Sequence, residues 1–380
     1  MHIMKATAWL AAGLLLLAAC APKKAPVLVP AENFNGSVDQ HPVALYTLKN
    51  GDITLQVTNY GARVVSLFTP DKHGDYEDIV VGRNSLEEYV HPSGERFLGA
   101  CVGPVANRIG GASFDVYGET FHTPCNDNGV NTLHGGFKGV DHVVWDVVQS
   151  GPSSITFRYV HPDGQEGFPG NLDILMSYTL TEQNEFIVMY KATTDKATPV
   201  NLSHHSFFNL RGEGNGTVED YLMKINADQF IPIDSLSIPT GEIRDVEGTP
   251  FDFRKEHRIG DRIGETSDTQ IRFVRGYDHN WCLNADPDGK VVSACTVWDP
   301  ETGRQLEVLT DQPGLQFYSG NFFDGSDKGK NGKPLGFRSS LALETQKWPD
   351  SPNHDNFTDV LVLPAIVYKH TCVYRFTVRR

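Results

Sequence analysis

Cysteine is scarce in this sequence. Only six of the 380 residues are cysteines, and no two of them form a Cys-x-x-Cys pair. This spacing argues against a zinc site built on thiolates. The five cysteines beyond Cys20 are odd in number and widely spaced, which argues against a disulfide framework. We expect most of them to be buried as small apolar side chains.

Positive charge is also in short supply. The chain has 33 Lys and Arg residues against 47 Asp and Glu residues, so its formal net charge is −14. It contains no run of Lys or Arg with interleaved aromatic residues. Because an acidic chain repels phosphate backbones, we expect no nucleic-acid partner.

Long apolar runs are absent except at the N-terminus. The run at residues 6–17 is too short to span a bilayer and lies where a secretory signal belongs. It ends at Leu17-Ala18-Ala19-Cys20, which resembles the lipobox of bacterial lipoproteins, where the cysteine carries lipid. We therefore expect an exported protein, lipid-anchored through Cys20 to a bacterial membrane and facing the periplasm. Ala21 favours the outer membrane, and an ordinary signal peptide that contains a cysteine is the alternative.

These features divide the chain into three parts. Residues 1–19 are predicted to be the lipoprotein signal peptide. Residues 20–40 contain Pro22, Pro26 and Pro30 without any periodicity, and they are predicted to be the lipid-attached cysteine and a flexible spacer. From residue 41 to residue 380 the composition shows no break, which predicts one domain. We expect a monomer.

Alternation with a period of two dominates from residue 41 onward. Ile53, Leu55 and Val57, for example, alternate with polar neighbours, and similar patterns recur to the end of the chain with turn signals between them. Only residues 85–89 and 253–264 favour short helices. The sequence therefore predicts an all-β protein, a single large antiparallel β-sandwich.

Two loop strings combine a polar side chain with glycine. Asn107-Arg108 stands just before Gly110-Gly111, and a guanidinium beside adaptable backbone suits hydroxyl or oxyanion recognition. His134 precedes Gly135-Gly136, which lets a ligand approach the backbone. A solvated arginine and an ordinary turn histidine are the simpler alternatives.

A histidine pair and two carboxylates complete the candidates. His204 and His205 point to opposite faces if the chain is extended, so only one of them can enter a given pocket. No His-Glu-x-x-His string is present, and no metal site is predicted. Asp278 lies in a short polar string, and Glu344 ends a predicted strand among apolar residues, as a partly buried base with a shifted pKa would. A strand-edge salt bridge is the alternative for Glu344.

Together and in this order, the strings resemble those of the aldose 1-epimerase (galactose mutarotase) family over residues 41–380. The strings that carry the resemblance are Asn59-Tyr60-Gly61-Ala62, Ala106-Asn107-Arg108, Thr132-Leu133-His134-Gly135-Gly136, His205-Ser206-Phe207-Phe208-Asn209-Leu210, Tyr277-Asp278-His279-Asn280, Pro313-Gly314-Leu315-Gln316-Phe317-Tyr318-Ser319-Gly320-Asn321 and Glu344-Thr345-Gln346. Two departures stand out. Pro104 and Val105 replace residues that are more often Gly and Arg or Tyr, and His204 stands where Asn is usual.

The resemblance implies a galactose mutarotase-like supersandwich and an isomerase of hexose metabolism that interconverts the α and β anomers of free aldohexoses such as glucose and galactose. It implies that Glu344 is the base on the C1 hydroxyl and that His205 is the acid on the ring oxygen. The residues that it implies for binding the sugar hydroxyls are Asn107, Arg108, His134, Asp278 and Gln316. Trp348 or Phe137 is expected to offer an apolar face to the sugar.

Acid–base chemistry of this kind requires neither a metal nor another cofactor. The acid must be protonated while Glu344 is ionised, so we expect a bell-shaped pH profile whose alkaline limb is set by His205. Residues 284–289 resemble the start of a calcium-binding EF-hand loop, but Cys295 stands where a bidentate Glu is required, so a hairpin turn is expected there. Bound Ca²⁺ elsewhere is left open.

Two other functions fit the same residues. A glycoside hydrolase would use Glu344 and Asp278 as its carboxylate pair and would have little use for His205. A non-catalytic glycan-binding lipoprotein would use His and Arg as hydroxyl binders and would have no use for a buried Glu–His pair. The fold alone does not decide between these functions.

Overall fold

Three antiparallel sheets dominate the computed structural model, which describes residues 23–330 and 332–380. The strands of the nine-stranded sheet are, in spatial order, Asp146–Ser150, Ser154–His161, Leu172–Leu180, Glu185–Thr194, Tyr368–Val378, Arg304–Thr310, Val292–Trp298, Leu222–Ile225 and His257–Arg258. Those of the six-stranded sheet are Phe207–Phe208, Leu341–Gln346, Gly314–Tyr318, Asp278–Leu283, Ala227–Ile231 and Arg244–Asp245. Those of the four-stranded sheet are Leu45–Asn50, Ile53–Thr58, Arg63–Pro70 and Tyr76–Asp78. The predicted all-β antiparallel architecture is confirmed.

Short elements connect these sheets. The two-stranded ladders pair Gly36–Val38 with His41–Val43, Ala100–Val102 with Ser203–His205, Arg108–Ile109 with Thr132–Leu133, Ser113–Val116 with Glu119–His122, and Thr198–Pro199 with Leu361–Val362. The 3₁₀ helices are Ala31–Phe34, Gly110–Ala112, Val140–His142, Gln165–Gly167, Ile259–Asp261 and Ser351–Asn353. No helix within the described ranges has the length and apolar character that a membrane crossing requires.

The described residues form two short α-helices, and one of them lies where the sequence predicts a helix. Leu86–Val90 lies at the predicted place, and the Ser85 side chain caps it by accepting from the N–H of Glu88. Within residues 253–264 the helical element is one 3₁₀ helix, Ile259–Asp261, and it follows the two-residue strand His257–Arg258. The second α-helix, Thr269–Val274, was not predicted; Asp268 caps it by accepting from two backbone N–H groups.

The nine-stranded and six-stranded sheets pack on one another and form the sandwich. Tyr374, from the larger sheet, donates its hydroxyl to the carbonyl of Leu343 in the smaller sheet at 3.2 Å, and its ring lies 5.3 Å from that of Phe208. Alternate residues of both sheets are buried in a single apolar core. Leu343 faces this core, which leaves the opposite face of the six-stranded sheet for Glu344.

The N-terminal part of the described chain packs on the sandwich. Val29 exchanges two hydrogen bonds of 2.9 Å with the Gln56 side chain, and Phe34 is fully buried in an apolar cluster. The prediction of a flexible spacer over residues 20–40 is therefore wrong for the stretch around these residues. Burial of the two isolated apolar side chains outweighs the disorder that the surrounding prolines favour. The predicted signal peptide and Cys20 lie outside the described residues.

Candidate active site

Strand register places the polar candidates on one face of the six-stranded sheet. Asn280 pairs with Gln316, and Gln316 pairs with Glu344, so these residues form a row across three adjacent strands. In the same pair of strands, Asp278 lies two residues before Asn280 and pairs with Tyr318, which lies two residues after Gln316. Because side chains two residues apart share a face, both rows lie on the side opposite the sandwich core.

A cavity of about 150 Å³ lies over this face. It is lined by Glu95, Phe97, Asn107, Arg108, Leu133, His134, His205, Phe207, Asp278, Tyr318, Phe322 and Glu344. The cavity thus brings together six of the seven residues that the sequence predicts for catalysis and sugar binding. Gln316 does not line the cavity, but its Nε2 donates to Oδ1 of Asp278, which does, at 2.7 Å.

Glu344 and His205 come together at the base of the cavity. Oε1 of Glu344 lies 3.4 Å from Nε2 of His205, and both side chains are almost fully buried. His205 reaches this place from the strand Ser203–His205, which pairs with Ala100–Val102 beside the six-stranded sheet. The second carboxylate oxygen of Glu344 is buried without a hydrogen-bond partner. A bound hydroxyl would supply the donor that this oxygen lacks.

Burial shifts the pKa values of Glu344 and His205 in opposite directions. It raises the pKa of Glu344 well above the usual value, and the negative charges of Asp278 and Glu95 add to this while Arg108 opposes it. It lowers the pKa of His205 to about 4. Both shifts disfavour the charged forms, so the pair favours a state in which a carboxylic acid faces a neutral imidazole and one proton is held between two groups. This differs from the expected resting state, in which Glu344 is ionised and His205 is protonated.

His134 is oriented by its contacts with Asn107. The backbone N–H of Asn107 donates to Nδ1 of His134 at 3.1 Å, and the backbone N–H of His134 donates to the Asn107 carbonyl at 2.9 Å. Burial lowers the pKa of His134 well below the usual value, so its ring is neutral. Because Nδ1 accepts, the ring proton lies on Nε2, and that nitrogen is a hydrogen-bond donor.

Two charged residues, Arg108 and Asp278, also line the cavity. Nε of Arg108 lies 3.1 Å from Oδ2 of Asp127, which fixes the guanidinium at the cavity edge. Burial raises the pKa of Asp278, and the charge of Arg108 together with the hydrogen bond from Gln316 opposes this rise. The cavity therefore offers both a strong donor and a carboxylate acceptor to a polyhydroxylated ligand.

The apolar walls come from residues other than those expected. Phe137 is 62% exposed and does not line the cavity. Trp348 turns away, donating its indole N–H to the Pro313 carbonyl at 3.0 Å. Phe97 and Phe322 line the cavity in their place.

Sequence reasoning missed six cavity residues as contributors to the site: Glu95, Phe97, Leu133, Phe207, Tyr318 and Phe322. Tyr318 lies within a string that carried the family resemblance, and strand alternation with Gln316 was the signal that could have found it. Glu95 and Phe97 lie in an irregular loop, where no pattern in the sequence marks them.

His204 confirms the prediction that only one histidine of the pair enters the cavity. Its Nε2 lies 2.7 Å from Oγ of Ser206 and its Nδ1 lies 3.2 Å from the hydroxyl of Tyr178. The rings of Tyr178, Phe186 and Tyr374 surround it within the sandwich core. Burial lowers its pKa to about 3, so it is a neutral core residue.

Three of these side chains also fit the distances of a metal site. Ligand atoms of His134, His205 and Glu344 lie within 4.8 Å of one another. The tautomer of His134 opposes this use, because its Nδ1 accepts from Asn107 and its Nε2 then carries a proton in place of a free lone pair. The arrangement suits hydrogen bonding and proton transfer better than metal binding.

Comparisons with known proteins agree with this geometry. The family model for aldose 1-epimerase matches residues 44–375. The galactose mutarotase of Rattus norvegicus is 40% identical over 338 residues, which are 88% of this chain and 94% of that protein. The aldose 1-epimerase of Escherichia coli (strain K12) is 38% identical over 341 residues, 89% of this chain and 96% of that protein.

Solved structures give the same result. The galactose 1-epimerase of Lactobacillus acidophilus superposes with a TM-score of 0.78 at 30% identity, covering 91% of this chain and 97% of that one. An aldose epimerase homologue from C. elegans superposes with a TM-score of 0.82 at 28% identity, covering 89% of this chain and all of that one. The chain belongs to the aldose 1-epimerase family, and it is an isomerase that interconverts the anomers of aldoses.

Proposed function

We propose that Glu344 and His205 carry the proton transfers of this isomerase and that its substrates are free aldohexoses, galactose and glucose among them. The observation that carries the assignment is the 3.4 Å approach of a carboxylate oxygen and an imidazole nitrogen in a buried cavity. Galactose is favoured because relatives about 40% identical to this chain are galactose mutarotases.

The chemistry needs one base and one acid acting together. In the form of the pair whose single proton lies on His205, Glu344 takes the proton of the C1 hydroxyl while His205 gives its proton to the ring oxygen. The bond between C1 and the ring oxygen then breaks and the open-chain aldehyde forms. After rotation about C1–C2, the hydroxyl that was the ring oxygen attacks the other face of C1. His205 then takes that hydroxyl's proton and Glu344 returns one to the C1 oxygen, which restores the starting state of both groups.

Binding of the sugar hydroxyls is assigned to the polar wall of the cavity. The Nε2–H of His134 and the guanidinium of Arg108 donate to sugar oxygens, and Asp278 accepts from hydroxyl groups. Asn107 contributes to the same wall and orients His134. Gln316 acts through Asp278, whose carboxylate it holds at 2.7 Å.

We further propose that the reaction proceeds without a metal or another cofactor. Ring opening moves only protons and the bonding electrons of one C–O bond, and the two titratable groups supply both partners. Activity that survives prolonged dialysis against EDTA supports this proposal, and activity that is lost and then restored by a divalent cation contradicts it.

Polarimetry tests the assignment directly. Freshly dissolved α-D-galactose or α-D-glucose should reach its equilibrium optical rotation faster with the protein than without it. The final rotation should be unchanged, because a catalyst does not move the equilibrium. A glycan-binding protein would leave the spontaneous rate as it is, and a hydrolase would act on glycosides but not on the free sugar.

We also propose that the chain is exported and anchored to a bacterial membrane through a lipid on Cys20. On this proposal the domain faces the periplasm as a monomer, and Ala21 favours the outer membrane. The support is the apolar run that ends at Leu17-Ala18-Ala19-Cys20. Mass spectrometry of the N-terminal peptide from the native host tests it by showing whether Cys20 is the first residue and carries acyl chains.

A further inference from the structure

The chain is attached to the body of the protein from Lys24 onward. The backbone N–H of Lys24 donates to Oδ1 of Asp75 at 2.8 Å, and its carbonyl accepts from the N–H of Tyr76 at 2.9 Å. Its side chain forms an ion pair with Glu77. These contacts fix residue 24 to the strand Tyr76–Asp78, which is an edge strand of the four-stranded sheet.

Little chain remains between this attachment and the proposed lipid. Cys20 and Lys24 are four residues apart in the sequence. Because an extended chain spans at most about 3.6 Å per residue, those four steps reach no further than about 14 Å. A lipid on Cys20 would therefore bring this edge of the protein close to the bilayer surface.

The surface at this edge suits such a position. Val27 is 77% exposed and Leu28 is 43% exposed, although both are apolar. The side chain of Lys23 lies across the turn at Gly74, and Lys72 belongs to the same turn. We call these four residues, Lys23, Val27, Leu28 and Lys72, the anchor face.

Lys23 and Lys72 bring two positive charges to the anchor face of a chain whose net charge is −14. Among the ion pairs of the described residues, none includes Lys23 or Lys72. Three acidic residues adjoin the anchor face, and each makes a contact other than with Lys23 or Lys72: Glu77 pairs with Lys24, Asp75 accepts from the backbone of Lys24, and Asp71 accepts from the N–H groups of His73 and Asp75. Apolar side chains beside free lysines are what the interface of an anionic bilayer attracts.

We propose that the anchor face rests on the bilayer, with Val27 and Leu28 at headgroup level and Lys23 and Lys72 against anionic lipid phosphates. The partner is a lipid surface. The protein lies on it in one orientation and does not move freely at the end of a flexible linker. This inference rests on the proposed lipid anchor at Cys20.

Site-specific labelling of the full-length, lipidated protein tests the proposal. Cys125 is the exposed cysteine among the described ones and is replaced by Ser, because Cys101, Cys282, Cys295 and Cys372 are buried. An environment-sensitive fluorophore is then attached at Val27→Cys, or at Tyr117→Cys as a control position that is 79% exposed and lies outside the anchor face. The protein is reconstituted into vesicles of phosphatidylethanolamine and phosphatidylglycerol.

We expect the label at residue 27 to shift to shorter wavelength and to be quenched by a lipid-bound nitroxide, while the label at residue 117 remains aqueous. The double variant Lys23→Glu, Lys72→Glu should lose this shift while still floating with the vesicles. The matched control, with the exposed residues Lys49 and Lys191 changed to Glu, should keep it. Label emission that is aqueous at both positions in vesicle-bound protein overturns the anchor face alone.

Failure of the lipid anchor gives a different result. In that case the wild-type protein carries no acyl chains and does not float with the vesicles, whatever the label position. That outcome overturns both the anchor and the orientation that depends on it, and it leaves the isomerase assignment untouched because polarimetry measures that separately.

Discussion

His204 and His205 are neighbours in the chain, yet their side chains lie on opposite faces of their strand. Nε2 of His205 lies 3.4 Å from Glu344 in the cavity, and Nε2 of His204 lies 2.7 Å from Ser206 beside the sandwich core. Strand geometry alone produces this division. It makes the two histidines a matched pair for separating catalysis from stability.

We expect His205→Asn to lower the catalysed rate about 10²-fold or more, because it removes the proton donor to the ring oxygen. His204→Asn should keep most of the activity. It should lower the free energy of unfolding by about 1–3 kcal/mol, because the buried hydroxyl of Ser206 loses its hydrogen-bond partner and that of Tyr178 keeps only its bond to the Ala62 carbonyl. Polarimetry and denaturant unfolding measure the two effects. An inactive His204 variant beside an active His205 variant would contradict the assignment.

The pH profile should be bell-shaped and centred on the state in which the Glu344–His205 pair holds one proton. On the acid side activity falls as the pair gains a second proton, which involves His205 with its pKa of about 4. On the alkaline side it falls as the pair loses its proton, which involves Glu344 with its raised pKa. His205 is thus associated with the acid limb of the profile, whereas the sequence led us to assign the alkaline limb to it.

Glu95→Gln tests the cause of that alkaline limb. The negative charge of Glu95 helps to raise the pKa of Glu344, so its removal should move the alkaline limb to lower pH. The exposed Glu182→Gln is the matched control and should leave the profile in place. An alkaline limb that moves to higher pH in Glu95→Gln would refute the electrostatic argument.

Phe34→Ala tests whether the N-terminal segment is part of the fold. Because Phe34 is fully buried, its truncation should lower the free energy of unfolding by about 3 kcal/mol. Val27→Ala, at a position that is 77% exposed, should change that free energy little. Urea unfolding of both variants measures the difference. Equal stability of the two variants would show that the segment is a flexible spacer, as the sequence predicts, and not part of the packed fold.

Cys20→Ala should abolish membrane attachment while leaving the isomerase fold intact, because it removes the proposed lipid acceptor. The protein should then stay uncleaved or appear in a soluble fraction. Cys125→Ala, which changes a cysteine in the domain itself, should remain with the membranes. Fractionation of the expressing bacterium distinguishes these outcomes, and a mature Cys20→Ala protein in the membrane fraction would exclude the anchor.

The sequence was sufficient for the architecture and for most of the site. Period-two alternation predicts strands, and the polar strings mark Asn107, Arg108, His134, His205 and Glu344. Which strands lie side by side follows from long-range pairing, so the row of Asn280, Gln316 and Glu344 could not be read from local pattern.

Other features depend on tertiary contacts that no local signal announces. Glu95 and Phe97 reach the cavity from an irregular loop. The segment around Phe34 looks like a spacer because its prolines are conspicuous and its apolar residues are isolated, and only the docked structure shows where they are buried. The helix Thr269–Val274 is too short for periodicity to reveal it.

The central claim is that Glu344 exchanges protons with the sugar, and the optical rotation of fresh α-D-galactose tests it most directly. Glu344→Gln keeps the shape of the side chain and removes the base. We expect this variant to lower the catalysed rate of mutarotation about 10²-fold or more, with an unchanged unfolding transition. A Glu344→Gln protein that brings the sugar to equilibrium as fast as the wild type would contradict it.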